Sequence, residues 1–225
     1  MMTNDRRTFT LATLAAFGAI RARAAVTVTD SAGRAVALPD NVGRVMAAGP
    51  PASVVVYCLA PDKLIGWQRA LRPEEKSFLL PLTHDLPELG RLTGRGDTAN
   101  VEVVLKAKPD VIVDFGSVAP TYVSLANATQ ERTGIPYMLV DGRFTATVSS
   151  LQMLGRALGV AERGDGLAAY AEDLLKRVDA AVSATPEAQR PGVYLARGPE
   201  GLETGLRGSI NTEIIERAGG RNVAS

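Results

Sequence analysis

Histidine and cysteine are almost absent from this sequence of 225 residues, which contains one of each. A single Cys excludes a disulfide framework, an iron–sulfur cluster and a zinc site built from Cys. A single His argues against a direct zinc or manganese site. The sequence also lacks GxxxxGK(S/T), GxSxG and HExxH, the motifs of P-loop nucleotide binding, α/β-hydrolase nucleophiles and zinc peptidases. These absences exclude several common catalytic classes.

An excess of charge of one sign is absent as well. Lys and Arg total 25 and Asp and Glu total 24, which gives a net charge of +1. No field of the whole chain therefore steers it to nucleic acid. Hydrophobic residues make up 46% and charged residues 22%, which is ordinary globular composition and excludes disorder, collagen and coiled coil. The chain is long enough to bury a core without disulfides or metal.

The first 24 residues have the pattern of an export signal. Arg6 and Arg7 form its basic end, and residues 10–20 are mildly apolar but too short to span a bilayer, which needs about 20 apolar residues. Residues 22–24 fit the small-x-small cleavage rule. The run from Asp5 to Leu11 resembles the twin-arginine signal, which exports folded proteins. An amphipathic N-terminal helix is the alternative.

Removal of residues 1–24 would leave an exported chain with no Cys near the cleavage point, so a lipid anchor is not expected. The single Cys, Cys58, lies in the apolar run SVVVYCLA. We expect it to be a small buried hydrophobic residue.

Residues 25–144 predict an α/β lobe with a largely parallel sheet, because short apolar strands alternate with helical segments. The strands are predicted at 26–30 and 35–38, which form a hairpin, and at 44–48, 63–67, 111–115 and 136–140. The helices are predicted after residue 49, at 73–80, at 100–106 with Asn100 as the cap, and at 119–133 before Gly134.

The pattern changes after residue 144. Residues 145–185 predict helices, including one long helix over 162–184 with apolar residues at helical spacing. Residues 186–225 predict a strand at 192–197, a glycine-rich loop at 198–208, a helix at 209–218 and the start of another strand. Forty residues are few for an independent α/β domain, so we expect a partial second lobe.

Six segments resemble the substrate-binding proteins of ABC importers for iron–siderophore complexes and cobalamin. They are VTVTDSAGRAVALP at 26–39, NVGRV at 41–45, NVEVVLKAKPDVIV at 100–113, TGIP at 133–136, LGRALG at 154–159 and AGGRNV at 218–223. The resemblance covers essentially all of the chain after residue 24, in the family's order. It implies two α/β lobes joined by one long helix, with a largely pre-formed cleft between them. The family normally continues beyond the last of these segments.

Residues at the carboxyl ends of the strands are the candidates for ligand binding, because ligands of open α/β sheets bind there. Trp67 is the only Trp and would stack on a flat ligand or chelate face, although packing under the following loop is an equal alternative. Four arginines offer bidentate hydrogen bonds to an anionic ligand, unless they are solvated surface residues. The candidate residues are Pro51, Trp67, Arg69, Ser117, Tyr122, Arg143, Arg197, Thr204 and Arg207.

The resemblance also implies an acidic residue on each lobe that docks arginines of the membrane permease. The candidates are Glu88, Glu213 and Glu216. With five scattered tyrosines and one His, we expect no resident metal or cofactor, and iron would arrive already chelated. The sequence thus predicts a monomeric periplasmic protein that delivers a metal chelate, a ferric siderophore above all, to an ABC importer.

Other interpretations stay open at this stage. The ligand alternatives are haem, for which His84 is a candidate ligand although a surface or structural role is the simpler reading, and cobalamin or an oxyanion such as molybdate. An exported α/β enzyme is a second class, based on Asp110, Asp114 and Ser117, but no nucleophile elbow or nearby His supports it. A remnant of a binding protein that binds nothing is the third.

Overall fold

A computed structural model describes residues 25–93 and 101–224 of the chain. The predicted export signal at 1–24 and the predicted cap Asn100 lie outside the described residues. None of the described helices is both long and apolar enough to cross a lipid bilayer.

The chain begins with the predicted β-hairpin. Strands β1 (Ala25–Thr29) and β2 (Ala35–Pro39) pair in antiparallel register. The turn closes because the Asp30 carboxylate accepts the backbone N–H groups of Ala32 at 3.0 Å and Arg34 at 2.9 Å. The same carboxylate accepts the N–H of Leu139 at 3.1 Å, which anchors the hairpin to the neighbouring sheet.

The central sheet of the first lobe consists of three parallel strands in the order β3 (Val45–Ala47), β4 (Val111–Gly116) and β5 (Tyr137–Asp141). Most of their residues are buried, as expected for a parallel sheet that helices cover on both faces. The parallel α/β lobe predicted from the sequence is therefore confirmed.

The prediction of a strand at 63–67 is wrong, because only isolated β-bridges form there. Leu64 pairs with Val45, whereas Trp67 pairs with Glu88. The N–H of Trp67 donates to the carbonyl of Pro87 at 2.9 Å, and its own carbonyl accepts the N–H of Leu89 at 2.8 Å. The segment thus changes partners within three residues, and no continuous ladder with β3 develops.

The described helices of the first lobe, and of the connecting segment 145–185, follow the strands at short intervals. They are α1 (Pro50–Leu59), α2 (Pro73–Lys76), α3 (Val101–Ala107), α4 (Pro120–Thr133), α5 (Thr147–Ala157) and the long α6 (Ala161–Ser183). The predicted helix at 73–80 ends early, at Lys76. Pro81 disfavours the helical conformation of Leu80, whose ψ is 135°.

Two apolar clusters occupy the two faces of the sheet. One contains Val56, Leu154 and Leu158 from the helices together with Leu38 of the hairpin. The other contains Val104, Ala126 and Tyr137. Cys58, which was expected to be buried, is exposed. Helix α1 contacts the sheet through Ala52, Val56 and Leu59, and this spacing turns Cys58 toward solvent.

The long helix α6 is joined closely to the first lobe through glycines. A Cβ atom on Gly164 would lie 2.8 Å from Cα of Gly155 in α5 and 2.9 Å from the carbonyl oxygen of Leu151. Gly164 and Ala168 are the buried residues of α6. The first two turns of α6 are therefore held against α5, and the rest of the helix extends to the second lobe.

The second lobe contains β6 (Gly192–Val193), α7 (Ile210–Arg217) and β7 (Arg221–Asn222), with β6 and β7 parallel. The predicted strand at 192–197 is shorter than expected, because only Gly192 and Val193 pair with β7. Beyond them, Arg197 bridges to Glu203 across the turn at Gly198 (φ 76°). Asn222 holds the lobe together by donating to the carbonyl of Gly205 and to the hydroxyl of Thr212, each at 2.8 Å.

Candidate ligand-binding site

A hollow of about 740 Å³ opens at the carboxyl edge of the sheet. Strands β4 and β5 end there, and helices α1, α4 and α7 begin there. We call it the sheet-edge hollow. Its lining comes from both lobes and consists of Pro51, Phe115, Gly116, Ser117, Val118, Ala119, Tyr122, Asp141, Gly142, Arg143, Gly208, Ser209 and Ile210.

Close backbone contact forms the floor of the sheet-edge hollow. The N–H of Gly142 donates to the carbonyl of Gly116 at 2.8 Å, and a Cβ atom on Gly142 would lie 2.9 Å from Cα of Gly116. Only glycine allows this approach. The three helix N-termini around the hollow place partial positive charge beside it, although α1 begins with two prolines and α4 with one, and these offer no N–H.

The charged pair of the sheet-edge hollow is Asp141 and Arg143. The Asp141 carboxylate accepts the backbone N–H of Arg143 at 3.0 Å and its Nε at 2.9 Å. The hydrogen bond from the Arg143 side chain holds the pKa of Asp141 below its usual value, and the carboxylate in turn raises the pKa of Arg143. The side chain of Asp141 is 9% exposed and that of Arg143 64% exposed, so the guanidinium covers the carboxylate.

A carboxylate of the second lobe reaches the same region. Oε1 of Glu213, in α7, accepts the backbone N–H of Phe144 at 2.8 Å. Ser209 caps α7 by accepting the N–H of Thr212. These contacts hold the beginning of α7 opposite the loop that follows β5.

A second hollow, of about 570 Å³, lies on the other side of the α1 N-terminus. We call it the Trp67 hollow. Pro50 lines this hollow and Pro51 lines the sheet-edge hollow, so the two are neighbours. Its lining consists of Pro50, Ser53, Val54, Trp67, Gln68, Arg69, Leu71, Glu75, Phe78, Leu79, Glu88 and Arg91.

Trp67 is held in place at the base of its hollow. Its Nε1 donates to the carbonyl of Thr83 at 2.9 Å, and its ring centroid lies 6.0 Å from that of Tyr57. Phe78 is 86% exposed on the loop after α2. The Trp67 hollow is therefore bounded by the indole of Trp67, which is held by contacts, and by the ring of Phe78, which contacts little of the protein.

The Trp67 hollow also contains a bidentate ion pair. Nη1 of Arg69 donates to Oε2 of Glu75 at 2.8 Å, and Nη2 contacts Oε1. The carboxylate further accepts the N–H of Arg72 at 2.9 Å. The hydrogen bond from Arg69, followed by those from Arg72, lowers the pKa of Glu75 well below its usual range, and Glu75 raises the pKa of Arg69.

The predicted site residues separate into two groups. The structure brings Pro51, Ser117, Tyr122 and Arg143 together in the sheet-edge hollow, and Trp67, Arg69 and Glu88 in the Trp67 hollow. The others line neither hollow. Arg197 and Arg207 are exposed, Thr204 is half-buried, Glu213 binds Phe144, Glu216 is exposed on α7, and Nε2 of His84 lies 3.0 Å from the carbonyl oxygen of Leu79.

The candidate site residues omit several residues that line the two hollows, among them Asp141, Glu75, Phe78 and the segment 208–210. Asp141 could be identified from the sequence, because it directly follows a predicted strand. Glu75 and Phe78 were hidden in a segment predicted to be helical. The segment 208–210 was assigned to a loop and a helix start, but nothing local indicated that it faces the first lobe.

The residues considered for an exported α/β enzyme do not come together in one catalytic arrangement. Asp110 accepts the backbone N–H groups of Gly43 and Arg44, at the end of β4 away from the hollow. Asp114 is buried and accepts the hydroxyl of Tyr137 at 3.1 Å, whereas Ser117 accepts the N–H of Ala119. Burial raises the pKa of Asp114. Among the described residues, no group of three or more His, Cys, Asp and Glu side chains is placed to hold a metal ion.

Residues 62–225 match a protein-family model described as periplasmic binding protein. No curated protein matches the chain. Solved structures do match. An ABC transporter solute binding protein from Sulfurospirillum deleyianum is 29% identical, with a TM-score of 0.77, over 88% of this chain and 62% of that protein. The chain thus spans less than two thirds of that protein's length.

Two further solved structures are of proteins named for a ligand. A periplasmic haem-binding protein from Pseudomonas aeruginosa is 26% identical, with a TM-score of 0.59, over 82% of this chain and 63% of that one. The molybdate-binding protein of a Haemophilus influenzae ABC transporter, bound to molybdate, is 21% identical, with a TM-score of 0.69, over 89% of this chain and 66% of that one. The last likeness shows the fold alone.

Proposed function

The chain belongs to the periplasmic binding protein family, and from that premise we propose that it carries a metal chelate outside the cytoplasm and delivers it to an ABC importer. The observation that supports this proposal is the sheet-edge hollow, whose lining comes from both lobes. Small-molecule sites of α/β sheets lie at this edge. The proposed cargo is a ferric siderophore.

The composition of the two linings favours a chelate over a bare ion. The sheet-edge hollow offers one carboxylate, Asp141, and Arg143 already occupies it. The Trp67 hollow is lined by apolar and polar side chains in equal number, and Arg69 already binds Glu75, one of its two carboxylates. Bare transition-metal ions are bound by several converging imidazole, thiolate or carboxylate groups. A chelate brings its own ligands and needs only a shaped and partly apolar pocket.

We further propose the partners and location that this role requires. The twin-arginine pattern of residues 1–24 would export the chain, and it would act as a monomer that docks a permease. Glu216 is exposed on the second lobe, and Glu88 is exposed on the first lobe, where it also accepts the N–H of Ala70 at 3.2 Å; both are candidates for that docking. Glu213 is already engaged with Phe144.

A ligand titration tests the proposal. The intrinsic fluorescence of Trp67 is followed while ferric hydroxamate, ferric catecholate, ferric citrate, haem, cobalamin and molybdate are added in turn, with inner-filter controls. Circular dichroism first establishes that the chain is folded. We expect saturable quenching by a ferric chelate, because Trp67 lines one of the two hollows. A folded chain that binds none of these compounds contradicts the proposal.

A further inference from the structure

We propose that Glu75 and Asp141 are specificity determinants, which neutralise the two arginines of the site and so select a chelate of zero net charge. This inference rests on the proposed function, since it concerns the kind of chelate that the same site accepts. The two carboxylates act on the chelate through the arginines and need not contact it themselves.

The first determinant neutralises Arg69. Glu75 receives both terminal nitrogens of the Arg69 guanidinium, which is the strongest geometry for an Arg–carboxylate pair. The backbone N–H and the side chain of Arg72 bind the same carboxylate. Glu75 is therefore held within the first turn of α2 by the preceding residue Arg72, in position to oppose the charge of Arg69 at the Trp67 hollow.

The second determinant neutralises Arg143. Asp141 follows β5 directly, and its carboxylate accepts the backbone N–H two residues later, which fixes the side chain in an Asx-type turn. From this position the carboxylate also binds Nε of Arg143 at 2.9 Å. Because the Asp141 side chain is almost fully covered, it stays close to Arg143 whether or not a ligand is present.

The charges around both hollows come in matched numbers. The Trp67 hollow is lined by Arg69 and Arg91 against Glu75 and Glu88, and the sheet-edge hollow by Arg143 against Asp141. An anionic chelate would have to compete with a carboxylate that is already in place for each of the paired arginines. That exchange replaces one ion pair by another and leaves a protein carboxylate without its partner, so it gains little affinity.

The rest of the lining suits a neutral chelate with an apolar body. Pro50, Val54 and Leu71 join the Trp67 indole and the exposed Phe78 around one hollow. The helix starts around the other hollow provide partial positive charge, which favours neutral oxygen acceptors as well as anions. A ferric trihydroxamate fits this description, because its three monoanionic groups balance the charge of the ferric ion.

The first measurement compares the affinities of a neutral and an anionic ferric complex. A ferric trihydroxamate of zero net charge and a trianionic ferric triscatecholate are titrated into the full chain by calorimetry at low ionic strength. We expect the neutral complex to bind more tightly by about tenfold or more, which corresponds to about 1.4 kcal/mol. Tighter binding of the trianionic complex overturns the inference.

Variants then test whether the two carboxylates cause the preference. Glu75→Gln and Asp141→Asn each remove the charge that opposes an arginine while nearly preserving shape. We expect each to raise the ratio of trianionic to neutral affinity by about fivefold, and salt at about 0.5 M to reduce that gain because the freed charges are exposed. Circular dichroism and thermal unfolding show that each variant is folded. Glu75 lies in the short helix α2 with its side chain 22% exposed, so its variant remains informative if Asp141→Asn is unstable.

Two control variants change the charge equally but elsewhere. Asp62→Asn removes an exposed carboxylate of the first lobe that lies outside the lining of both hollows. Asp173→Asn frees Arg177 on the exposed face of α6. We expect both to leave the affinity ratio unchanged. A ratio that shifts equally in all four variants refutes local selection by Glu75 and Asp141. If neither ferric complex nor any compound of the earlier panel binds, the proposed function itself fails.

Discussion

The carboxylate of Glu213, in the second lobe, accepts the backbone N–H of Phe144, in the first lobe, at 2.8 Å. Phe144 starts the turn that leads from β5 into α5, so one hydrogen bond joins the loop after the sheet to α7. The two walls of the sheet-edge hollow are thereby held at a defined distance. Glu213 is best understood as a residue that positions the lobes.

The first prediction concerns that hydrogen bond. Glu213→Ala should lower the free energy of unfolding by about 1 to 2 kcal/mol, because it removes a charged acceptor and leaves the Phe144 N–H without its partner. Urea denaturation measures the change. Glu216→Ala, an exposed position on the same helix, should change stability by less than about 0.5 kcal/mol. Equal effects of the two substitutions would contradict the role given to Glu213.

The second prediction concerns the contact between α5 and α6. Gly164→Ala should destabilise the chain by about 1 to 3 kcal/mol, because its Cβ would clash with the backbone of Gly155 and Leu151. Thermal unfolding followed by circular dichroism measures the loss.

Gly166 offers the matched control in the same helix. A Cβ atom there would meet nothing within 4 Å. Because Ala is the better helix former, Gly166→Ala should stabilise the chain by about 0.5 to 1 kcal/mol. If both Gly→Ala substitutions shift the free energy of unfolding in the same direction, the close packing of α6 against α5 at Gly164 is contradicted.

Much of the first lobe could be predicted from the sequence, and the reasons are local. Residues 111–115 are apolar except for Asp114 and follow Pro109, which is typical of a buried parallel strand. The partners of the arginines could not be predicted in the same way. Arg69 meets Glu75 across residues 70–72, which lead into α2. Glu213 meets Phe144 only through the packing of the two lobes.

The third prediction concerns the pH dependence of stability through Asp114. Burial raises the pKa of this carboxyl, although hydrogen bonds from Tyr137 and Thr93 oppose the effect. The folded chain therefore keeps a proton on Asp114 at pH values where the unfolded chain has lost it. The stability that this proton contributes is complete below the ordinary Asp pKa of about 3.9 and is lost as the pH rises through the raised folded value.

Asp114→Asn isolates that contribution, because the amide does not titrate. The free energy of unfolding of the original chain minus that of the variant should fall as the pH increases from about 4 toward neutrality. Urea denaturation at a series of pH values gives the difference. A difference that is constant, or that grows with pH, is incompatible with a raised pKa of Asp114.

The fourth prediction concerns the attachment of the hairpin. Asp30→Ala should lower the free energy of unfolding by about 3 kcal/mol, because the buried carboxylate binds Arg34 and the N–H of Leu139. Asp40→Ala, which removes an exposed carboxylate close to the same hairpin, should change stability by less than about 0.5 kcal/mol. Chemical denaturation of both variants checks this, and similar losses would show that Asp30 is not the anchor.

The most direct measurement of the central claim is calorimetric titration of a ferric chelate into the chain and into two tyrosine variants. Tyr122 lines the sheet-edge hollow, whereas Tyr170 is 64% exposed on α6 and lines neither hollow. The account predicts saturable binding to the original chain, an affinity lower by about tenfold in Tyr122→Ala, and no change in Tyr170→Ala. Binding that is the same in all three proteins, or absent from a folded original chain, would contradict it.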